Sequence, residues 1–320
     1  MPSSRGKILV IRGGAIGDFI LTLPAIAALR NRFPDTHLEV LGYPHIVELA
    51  LAGGLVDRAQ PIEARGLAGF FARGGALAPD LADYFSEFDV IVSYLYDPDE
   101  IFRINVGRCS PALFLAGPHR PDETQRVHAA KVYLKPLERL AIFDADAVPR
   151  LQVESRASHP VPVLALHPGS GSEKKNWPED KWAGLLQHLL DDTSLDLLMV
   201  GGEAEGERLQ RLAAALPPLR VRVAQSLPLR ELARKLQPCM AFVGHDSGIS
   251  HLSAALGLPG LVLWGDSVEE IWRPPHPGVV ILKSRAGLRA LDVEQVLQEL
   301  KPLLNSSKQA SSGSAGGLGN

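Results

Sequence analysis

The sequence predicts an α/β protein made of two successive Rossmann-like domains. Short apolar runs of strand length alternate with amphipathic segments of helix length, a pattern typical of parallel sheets covered by helices. The alternation stops between residues 144 and 162, where three prolines lie in a polar stretch, and then restarts. A chain of 320 residues is also longer than one hydrophobic core usually organises. We therefore expect one domain over residues 1–150, a second over 151–305, and a cleft between them.

Each strand is assigned from a run rich in Val, Ile and Leu, and each helix from an amphipathic segment. The predicted strands cover residues 7–12, 37–42, 89–95, 112–117, 163–167, 195–201, 221–224, 240–244 and 260–264. The predicted helices of the second half cover residues 179–190, 205–216, 229–236, 249–256 and 293–304. In the first half, residues 126–140 form a long amphipathic stretch, and another helical segment ends at Phe33. Pro24 inside that segment indicates either a helix that starts near Thr22 or a kink.

Composition and charge exclude several classes of protein. Hydrophobic residues make up 46% of the chain, and the net charge of -3 gives no reason to expect a nucleic acid partner. Cys109 and Cys239 are the only cysteines, which favours reduced thiols in a cytoplasmic protein. No run reaches the ~20 apolar residues of a transmembrane helix, and Arg12 and Asp18 interrupt the apolar start, unlike a secretory signal. Peripheral membrane contact stays open, and the Ser/Gly-rich tail, residues 306–320, is predicted to be disordered.

A glycine-rich turn follows the first strand and precedes Asp18. Gly13, Gly14 and Gly17 let the backbone turn sharply and approach a ligand closely. Open α/β sheets bind their ligands at this end of the strands. A dinucleotide site is disfavoured, because the second strand has no acidic residue at its tip to hold a ribose. The sequence leaves two interpretations of Asp18 open, a functional carboxylate or the N-cap of the following helix.

Three strand-to-helix junctions of the second half carry small, polar and charged residues. They cover residues 167–178, 201–205 and 243–251. Small residues expose backbone N–H groups, a nearby lysine neutralises phosphate, and a helix start attracts a diphosphate. Taken singly, these junctions also fit a solvated loop, a simple N-cap or a packed histidine. Their common position at the strand ends of one sheet is the stronger signal.

Together, these residues resemble glycosyltransferase family 9, the lipopolysaccharide heptosyltransferases. The resemblance runs from residue 7 to about residue 272 and is strongest at Gly17-Asp18 with Pro24, at residues 167–178 and at residues 246–252. It implies a GT-B fold, in which the first domain binds the acceptor and the second binds the nucleotide sugar. Residues 55–81 match nothing in the family, so the acceptor is not inferred from them.

The resemblance assigns a role to each matched position. Asp18 matches the proposed general base, and Lys175 matches the lysine that contacts the donor phosphates. Asp246 falls on the acid near the donor sugar, Glu205 on the acid near the ribose, and Leu227 near an apolar residue of the donor pocket.

Other matched positions belong to the phosphate contacts. Ser247, Gly248 and His251 fall on the helix start that holds the diphosphate. Ser170 and Gly171 lie where hydroxyl residues contact phosphate in the family, although Gly171 lacks that hydroxyl.

The implied activity is an inverting transfer of heptose from ADP-L-glycero-D-manno-heptose to a lipid-linked acceptor, the inner core of lipopolysaccharide. A transferase of the same fold with another nucleotide sugar and glycan is an alternative. A nucleotide-binding module without catalysis is another, although the presence of both Asp18 and Lys175 argues against it. A nicotinamide oxidoreductase is disfavoured by the missing ribose acid.

Two further motifs have competing interpretations. Residues 97–99 and 144–146 resemble the Asp-x-Asp that holds manganese in other transferases, but a turn and a linker explain them better. We therefore expect no metal and no other cofactor. In residues 65–73, two arginines flank two adjacent phenylalanines. In one interpretation, that segment is part of a rim that faces the acceptor or an anionic lipid surface. In the other, it is a helix that packs its apolar side on the core.

Overall fold

The structure, a computed structural model, describes residues 6–154, 161–170 and 175–313, with side chains described as far as residue 305. The chain forms two compact units, Met1–Gln152 and Val153–Asn320. The boundary thus follows Gln152, close to the predicted boundary after residue 150. Each unit has its own parallel sheet.

The first unit contains a five-stranded sheet in the order β3-β2-β1-β4-β5. These strands, β1 to β5, are Lys7–Arg12, His37–Gly42, Arg58–Pro61, Val90–Ser93 and Leu113–Ala116. The helices α1 to α5 are Ile16–Arg32, Pro44–Ala52, Pro79–Ser86, Ile101–Gly107 and Ala129–Leu134. Short 3-10 helices are Arg65–Phe71, Glu123–Gln125 and Lys135–Leu140.

The second unit contains a six-stranded sheet in the order β11-β10-β9-β6-β7-β8. These strands, β6 to β11, are Val163–Leu166, Asp196–Gly201, Val221–Gln225, Ala241–His245, Gly260–Trp264 and Val279–Lys283. The helices α6 to α11 are Glu179–Asp192, Gly206–Ala214, Leu229–Leu236, Gly248–Ala255, Glu269–Trp272 and Val293–Gly313. A 3-10 helix covers Leu288–Ala290.

The central strands are apolar throughout because both of their faces are covered. Successive side chains of a strand point to opposite faces, and all residues of β6, β9 and β10 are buried. The same holds for β1 after its first residue. This double burial explains why continuous apolar runs predicted these strands within two residues of their observed ends.

The edge strands β3 and β11 and the helices α2, α3, α4 and α10 were not predicted. β3 has the sequence Arg-Ala-Gln-Pro, with no apolar run, and becomes a strand only by pairing with β2. Of the two alternatives for Pro24, a helix that starts near Thr22 is wrong, since α1 begins at Ile16 and contains Pro24, and a kink there stays a prediction. The stretch over residues 126–140 divides into α5 and a 3-10 helix, because Pro136 has no N–H to continue an α-helix.

The last helix differs from its prediction at the carboxyl end. α11 ends at Gly313 rather than near residue 304, so residues 306–313 of the predicted disordered tail are helical. Between residue 304 and Gly313 the sequence has no proline or glycine that would end a helix. Residues 314–320 lie outside the described residues, and disorder there stays a prediction.

Candidate functional site

The candidate donor residues lie at one edge of the second sheet, where the strand order reverses. β7 and β8 lie on one side of β6, and β9 lies on the other. Such a reversal leaves a crevice outside the carboxyl ends of the strands, and open α/β sheets bind ligands there. The prediction that the three junctions share one edge is confirmed, because β9, β6 and β7 are adjacent and parallel.

Lys175 and Asp246 contact each other at this edge. The Nζ atom of Lys175 lies 2.7 Å from Oδ2 of Asp246, and the hydroxyl of Ser267 donates to the same oxygen at 2.5 Å. The Asp246 side chain is only 10% exposed, whereas that of Lys175 is 41% exposed. The lysine therefore neutralises the acid while part of its own side chain stays exposed to solvent. Ser267 was missed, although it follows a strand at the same edge as the three junctions.

The predicted helix start is confirmed at α9, and the side chain of His167 lies next to it. Ser247 is the N-cap, and its hydroxyl accepts a hydrogen bond from the N–H of Ser250 at 3.4 Å. The same oxygen lies 3.2 Å from Nδ1 of His167. Burial lowers the pKa of His167 to about 4, so this ring is neutral at neutral pH. Gly248 is the first residue of the helix, and His251 is buried within it.

Glu205 joins the loop after β6 to the loop after β7. It is buried, and its Oε2 accepts a hydrogen bond from the N–H of Gly202 at 2.9 Å. A Cβ atom on Gly169 would come within 2.1 Å of Cγ of Glu205, so only glycine allows this approach. In the same loop, the Ser170 hydroxyl donates to Oδ1 of Asn176 at 2.7 Å. The two loops are therefore packed together at the strand edge.

Two other predicted donor residues have no established place in this cluster. Leu227 follows β8 and lines a shallow depression with Gln210, Gln225 and Lys235. Gly171 lies outside the described residues. Roles for both stay predictions.

Asp18 lies in the first turn of α1, next to the carboxyl end of β1. It is the third residue of the helix, and Ala15 is the N-cap, so the N-cap interpretation is wrong in position. Its Oδ2 nevertheless accepts a hydrogen bond from the N–H of Ala15 at 3.2 Å, as an acid at this position of a capping box does. Gly14 makes the preceding turn with a φ of 100°, which strongly favours glycine.

A buried guanidinium, which the sequence analysis missed, lies behind Asp18. Nη2 of Arg12 is 3.4 Å from Oδ1 of Asp18, and Nη1 donates to the carbonyls of His119 and Tyr94 at 2.9 and 3.4 Å. The guanidinium stacks on the ring of Tyr133 at 4.5 Å. Burial and nearby arginines lower the pKa of the His119 side chain, and the Asp18 carboxylate opposes this shift. The signal was a charged residue that ends an apolar strand.

In the two Asp-x-Asp sequences, Asp97, Asp99 and Asp146 have protein partners. Both carboxylate oxygens of Asp97 accept backbone N–H bonds at the start of α4. Asp99 forms an ion pair with Arg73, and Asp146 forms one with Arg150. Among the residues that the structure describes, no three His, Cys, Asp or Glu side chains are grouped to hold a metal ion.

Residues 65–73 place their apolar side on the core of the first unit. Leu67 and Phe70 are buried, whereas Phe71, Arg65 and Arg73 are exposed. The interpretation as a helix packed on the core is thus confirmed, in the form of a 3-10 helix. Contact with a lipid surface stays a prediction. Within the described ranges, no helix is long and apolar enough to cross a bilayer.

The sequence is similar to known heptosyltransferases. Lipopolysaccharide heptosyltransferase 1 of Pseudomonas aeruginosa is 35% identical over 117 residues, which are 37% of this chain and 30% of that protein. The protein of the same name from Escherichia coli K12 is 31% identical over 129 residues, 37% of this chain and 40% of that protein. The chain thus aligns with less than half the length of these curated relatives.

Solved structures share the fold over nearly the whole chain. A glycosyl transferase family 9 structure from Veillonella parvula has a TM-score of 0.78 at 19% identity and covers 96% of this chain and 99% of its own. The structure of E. coli heptosyltransferase WaaC with ADP has a TM-score of 0.72 at 18% identity and covers 93% and 99%. The predicted two-domain GT-B fold is therefore confirmed.

The family model described as glycosyltransferase family 9 (heptosyltransferase) matches residues 135–300, more than half of the 320 residues. That range contains Lys175, Asp246, Ser247 and Glu205 and the contacts described above for each of them. The chain therefore belongs to glycosyltransferase family 9, the heptosyltransferase family.

Proposed function

We propose that the protein is an inverting glycosyltransferase that moves heptose from ADP-heptose to the inner core of lipopolysaccharide. The observation that carries the proposal is the contact of Lys175 with Asp246 beside the start of α9, at the point where the strand order reverses. The similarity to lipopolysaccharide heptosyltransferases supports lipopolysaccharide as the acceptor. The solved structures of E. coli heptosyltransferase WaaC with ADP and with ADP-2-deoxy-2-fluoro heptose support ADP-heptose as the donor.

In this proposal, the second unit binds the nucleotide sugar. Lys175 and the first N–H groups of α9 face the diphosphate and stabilise the negative charge that grows on ADP as it departs. Asp246 stays paired with Lys175 and accepts a hydrogen bond from Ser267, and its carboxylate also accepts hydrogen bonds from sugar hydroxyls. Glu205 is the acid nearest the ribose. The buried neutral ring of His167 orients the Ser247 hydroxyl.

The first unit supplies the base. Asp18 removes the proton of the acceptor hydroxyl as that oxygen attacks the anomeric carbon and the bond to ADP breaks. Arg12 and the Ala15 N–H each hold one carboxylate oxygen, so the base is oriented before the acceptor binds. A single displacement of this kind inverts the anomeric centre.

A panel of nucleotide sugars tests the proposal. Purified protein is incubated with a heptose-free lipopolysaccharide core and with ADP-heptose, ADP-glucose, UDP-glucose or GDP-mannose, and the released nucleotide and the product are measured. We expect transfer with ADP-heptose and, at most, weak transfer with the other donors. Efficient transfer from a UDP- or GDP-sugar would identify a different donor, and nucleotide binding without transfer from any sugar would indicate a binding module.

A further inference from the structure

His245 is a fully buried histidine between the core and the proposed donor site. It is the last residue of β9 and directly precedes Asp246. The preceding residues of β9 are apolar or glycine, and an imidazole in such a strand loses its hydration. That loss is tolerated when both ring nitrogens find hydrogen-bond partners.

Both nitrogens have partners, and these partners fix the proton. Nε2 lies 2.9 Å from the backbone N–H of Trp177, and Nδ1 lies 3.1 Å from the carbonyl oxygen of Gly169. An N–H only donates and a carbonyl only accepts, so Nε2 must be unprotonated and Nδ1 must carry the proton. Only one neutral tautomer of His245 satisfies both contacts. Burial also lowers the pKa of His245 to about 3, which keeps the ring neutral.

The two partners bracket the proposed phosphate-binding residues. Gly169 precedes Ser170, and Trp177 lies two residues after Lys175, so one ring holds both ends of the segment that carries them. The strand that carries the ring continues directly into Asp246, the partner of Lys175. The imidazole therefore links the loop that carries Lys175 to the strand that leads into Asp246.

The core holds the ring and its partner in place. The Trp177 indole N–H donates to the carbonyl of Leu291 at 3.0 Å, and its ring packs edge-on against Trp182 at 5.5 Å. Trp182 also packs edge-on against His245 at 5.5 Å. Rotation of the imidazole is therefore restricted on the side that faces the core.

We propose that His245 is a positioning residue of the nucleotide-sugar site. Its neutral imidazole ties Gly169 and Trp177 to β9 and so sets the distance at which Lys175 meets Asp246 and the donor phosphates. It does not touch the substrate itself. That the ligand is a nucleotide diphosphate rests on the proposed function, whereas the tether itself does not.

Three variants separate this role from general packing. His245→Leu removes both hydrogen bonds, whereas His245→Gln and His245→Asn keep a side-chain amide that both donates and accepts. Leu300→Ala, in the same apolar core but on α11, is the control for lost stability. ADP affinity is measured by calorimetry, hydrogen–deuterium exchange of the Trp177 amide by mass spectrometry or NMR, and the free energy of unfolding in urea.

We expect His245→Leu to weaken ADP binding by about 10-fold or more and to accelerate exchange at Trp177, because the N–H of Trp177 loses its buried acceptor. Leu300→Ala should lower stability and leave both ADP affinity and Trp177 exchange unchanged. The amide variant that binds ADP more tightly should retain part of the affinity that His245→Leu loses. If His245→Leu does not fold, the two amide variants carry the same comparison, with losses smaller than 10-fold.

Two results would overturn the proposal. One is unchanged ADP affinity with unchanged Trp177 exchange in His245→Leu, or in both amide variants if His245→Leu does not fold. The other is a loss of ADP affinity in Leu300→Ala that matches its loss of stability. If the wild-type protein does not bind ADP, the proposed function fails, but the exchange measurement still decides whether His245 holds the loop.

Discussion

The guanidinium of Arg12 lies 3.4 Å from the carboxylate of Asp18, and the arginine side chain is almost completely buried. The two residues are six positions apart, and the turn at Gly14 brings them together. Arg12 is itself anchored to the carbonyl of His119 and stacked on Tyr133. The protein therefore sets the direction of the Asp18 carboxylate before any substrate binds.

Asp18→Asn should abolish most transfer and leave nucleotide binding intact. The amide keeps the shape and can still accept the Ala15 N–H, but it cannot take up a proton at neutral pH. Loss of a general base typically slows a reaction by about 10²–10⁴-fold. The rate of heptose transfer, ADP calorimetry and urea unfolding test this, with Asp83→Asn on the exposed side of α3 as the control. Wild-type turnover in Asp18→Asn would exclude the catalytic role, and lost ADP affinity or folding would make Asp18 structural.

Substitution of Arg12 should separate charge from geometry. Arg12→Lys keeps the charge but not the planar fork that reaches the carboxylate and two carbonyls at once. We expect Arg12→Lys to retain part of the transfer rate. Arg12→Met should lower the transfer rate on the order of 10²-fold, because a misdirected base reacts poorly. Its ADP affinity should be unchanged. Steady-state kinetics that show equal turnover in both variants and the wild type would refute a positioning role for Arg12.

Lys175→Ala should weaken ADP binding between about 10- and 100-fold, as expected for a charged hydrogen bond. Two effects add, because the diphosphate loses a cation and meets the unneutralised carboxylate of Asp246. The loss should grow at low salt, where charges are less screened. Calorimetry at two salt concentrations measures it, and Lys301→Ala on α11 removes the same charge elsewhere. Adding Asp246→Asn to Lys175→Ala should restore part of the affinity. Equal ADP affinities for Lys175→Ala and Lys301→Ala would mean that Lys175 is a surface residue.

The stability of the fold should fall in mild acid. Burial lowers the pKa of His167 from its ordinary value of 6.5 to about 4, and that of His245 to about 3. Between pH 6.5 and 4, the unfolded chain therefore binds protons that the folded chain does not bind. The free energy of unfolding decreases as the pH falls. Each ring contributes up to about 1.4 kcal/mol per pH unit near pH 5, where the unfolded histidine is protonated and the folded one is neutral. Urea titrations from pH 7 to 4.5 give the free energy of unfolding as a function of pH. The slope of that curve should be shallower by about that amount in His167→Asn than in the wild type. An unchanged slope would show that folding does not lower the pKa of His167.

Chelation should not stop the reaction. The Asp97 carboxylate is occupied by backbone N–H groups, and Asp146 by Arg150. In the proposed mechanism, Lys175 and the start of α9 supply the positive charge that a divalent ion would otherwise bring. Heptose transfer measured after dialysis against EDTA should keep the rate of the untreated enzyme. A loss of activity that Mn²⁺ restores would contradict this expectation.

Much of the fold could be predicted because buried parallel strands leave a continuous apolar run in the sequence. β6, β9 and β10 could be predicted from the sequence for that reason. The junctions after β6 and β9 likewise indicated one edge of the sheet as the ligand-binding edge. β3 has no such run, since an edge strand is defined by its pairing rather than by its burial. Glycines and a carboxylate after β1 likewise indicated either a functional carboxylate or an N-cap at Asp18, without indicating the direction of its side chain.

The sequence by itself determined the two α/β repeats, the glycine-rich turns and the residue types available at each strand end, because backbone geometry and burial act over short segments. Only the tertiary structure decided which of these side chains meet. Lys175 and Asp246 are 71 positions apart in the chain, and Arg12 and His119 are 107 positions apart; parallel pairing of distant strands brings each pair together. The hydrogen bonds at both nitrogens of His245 also join residues that are far apart in the chain. A buried polar group is stable only where the folded chain delivers its partners, and those partners are set by sheet order rather than by sequence neighbours.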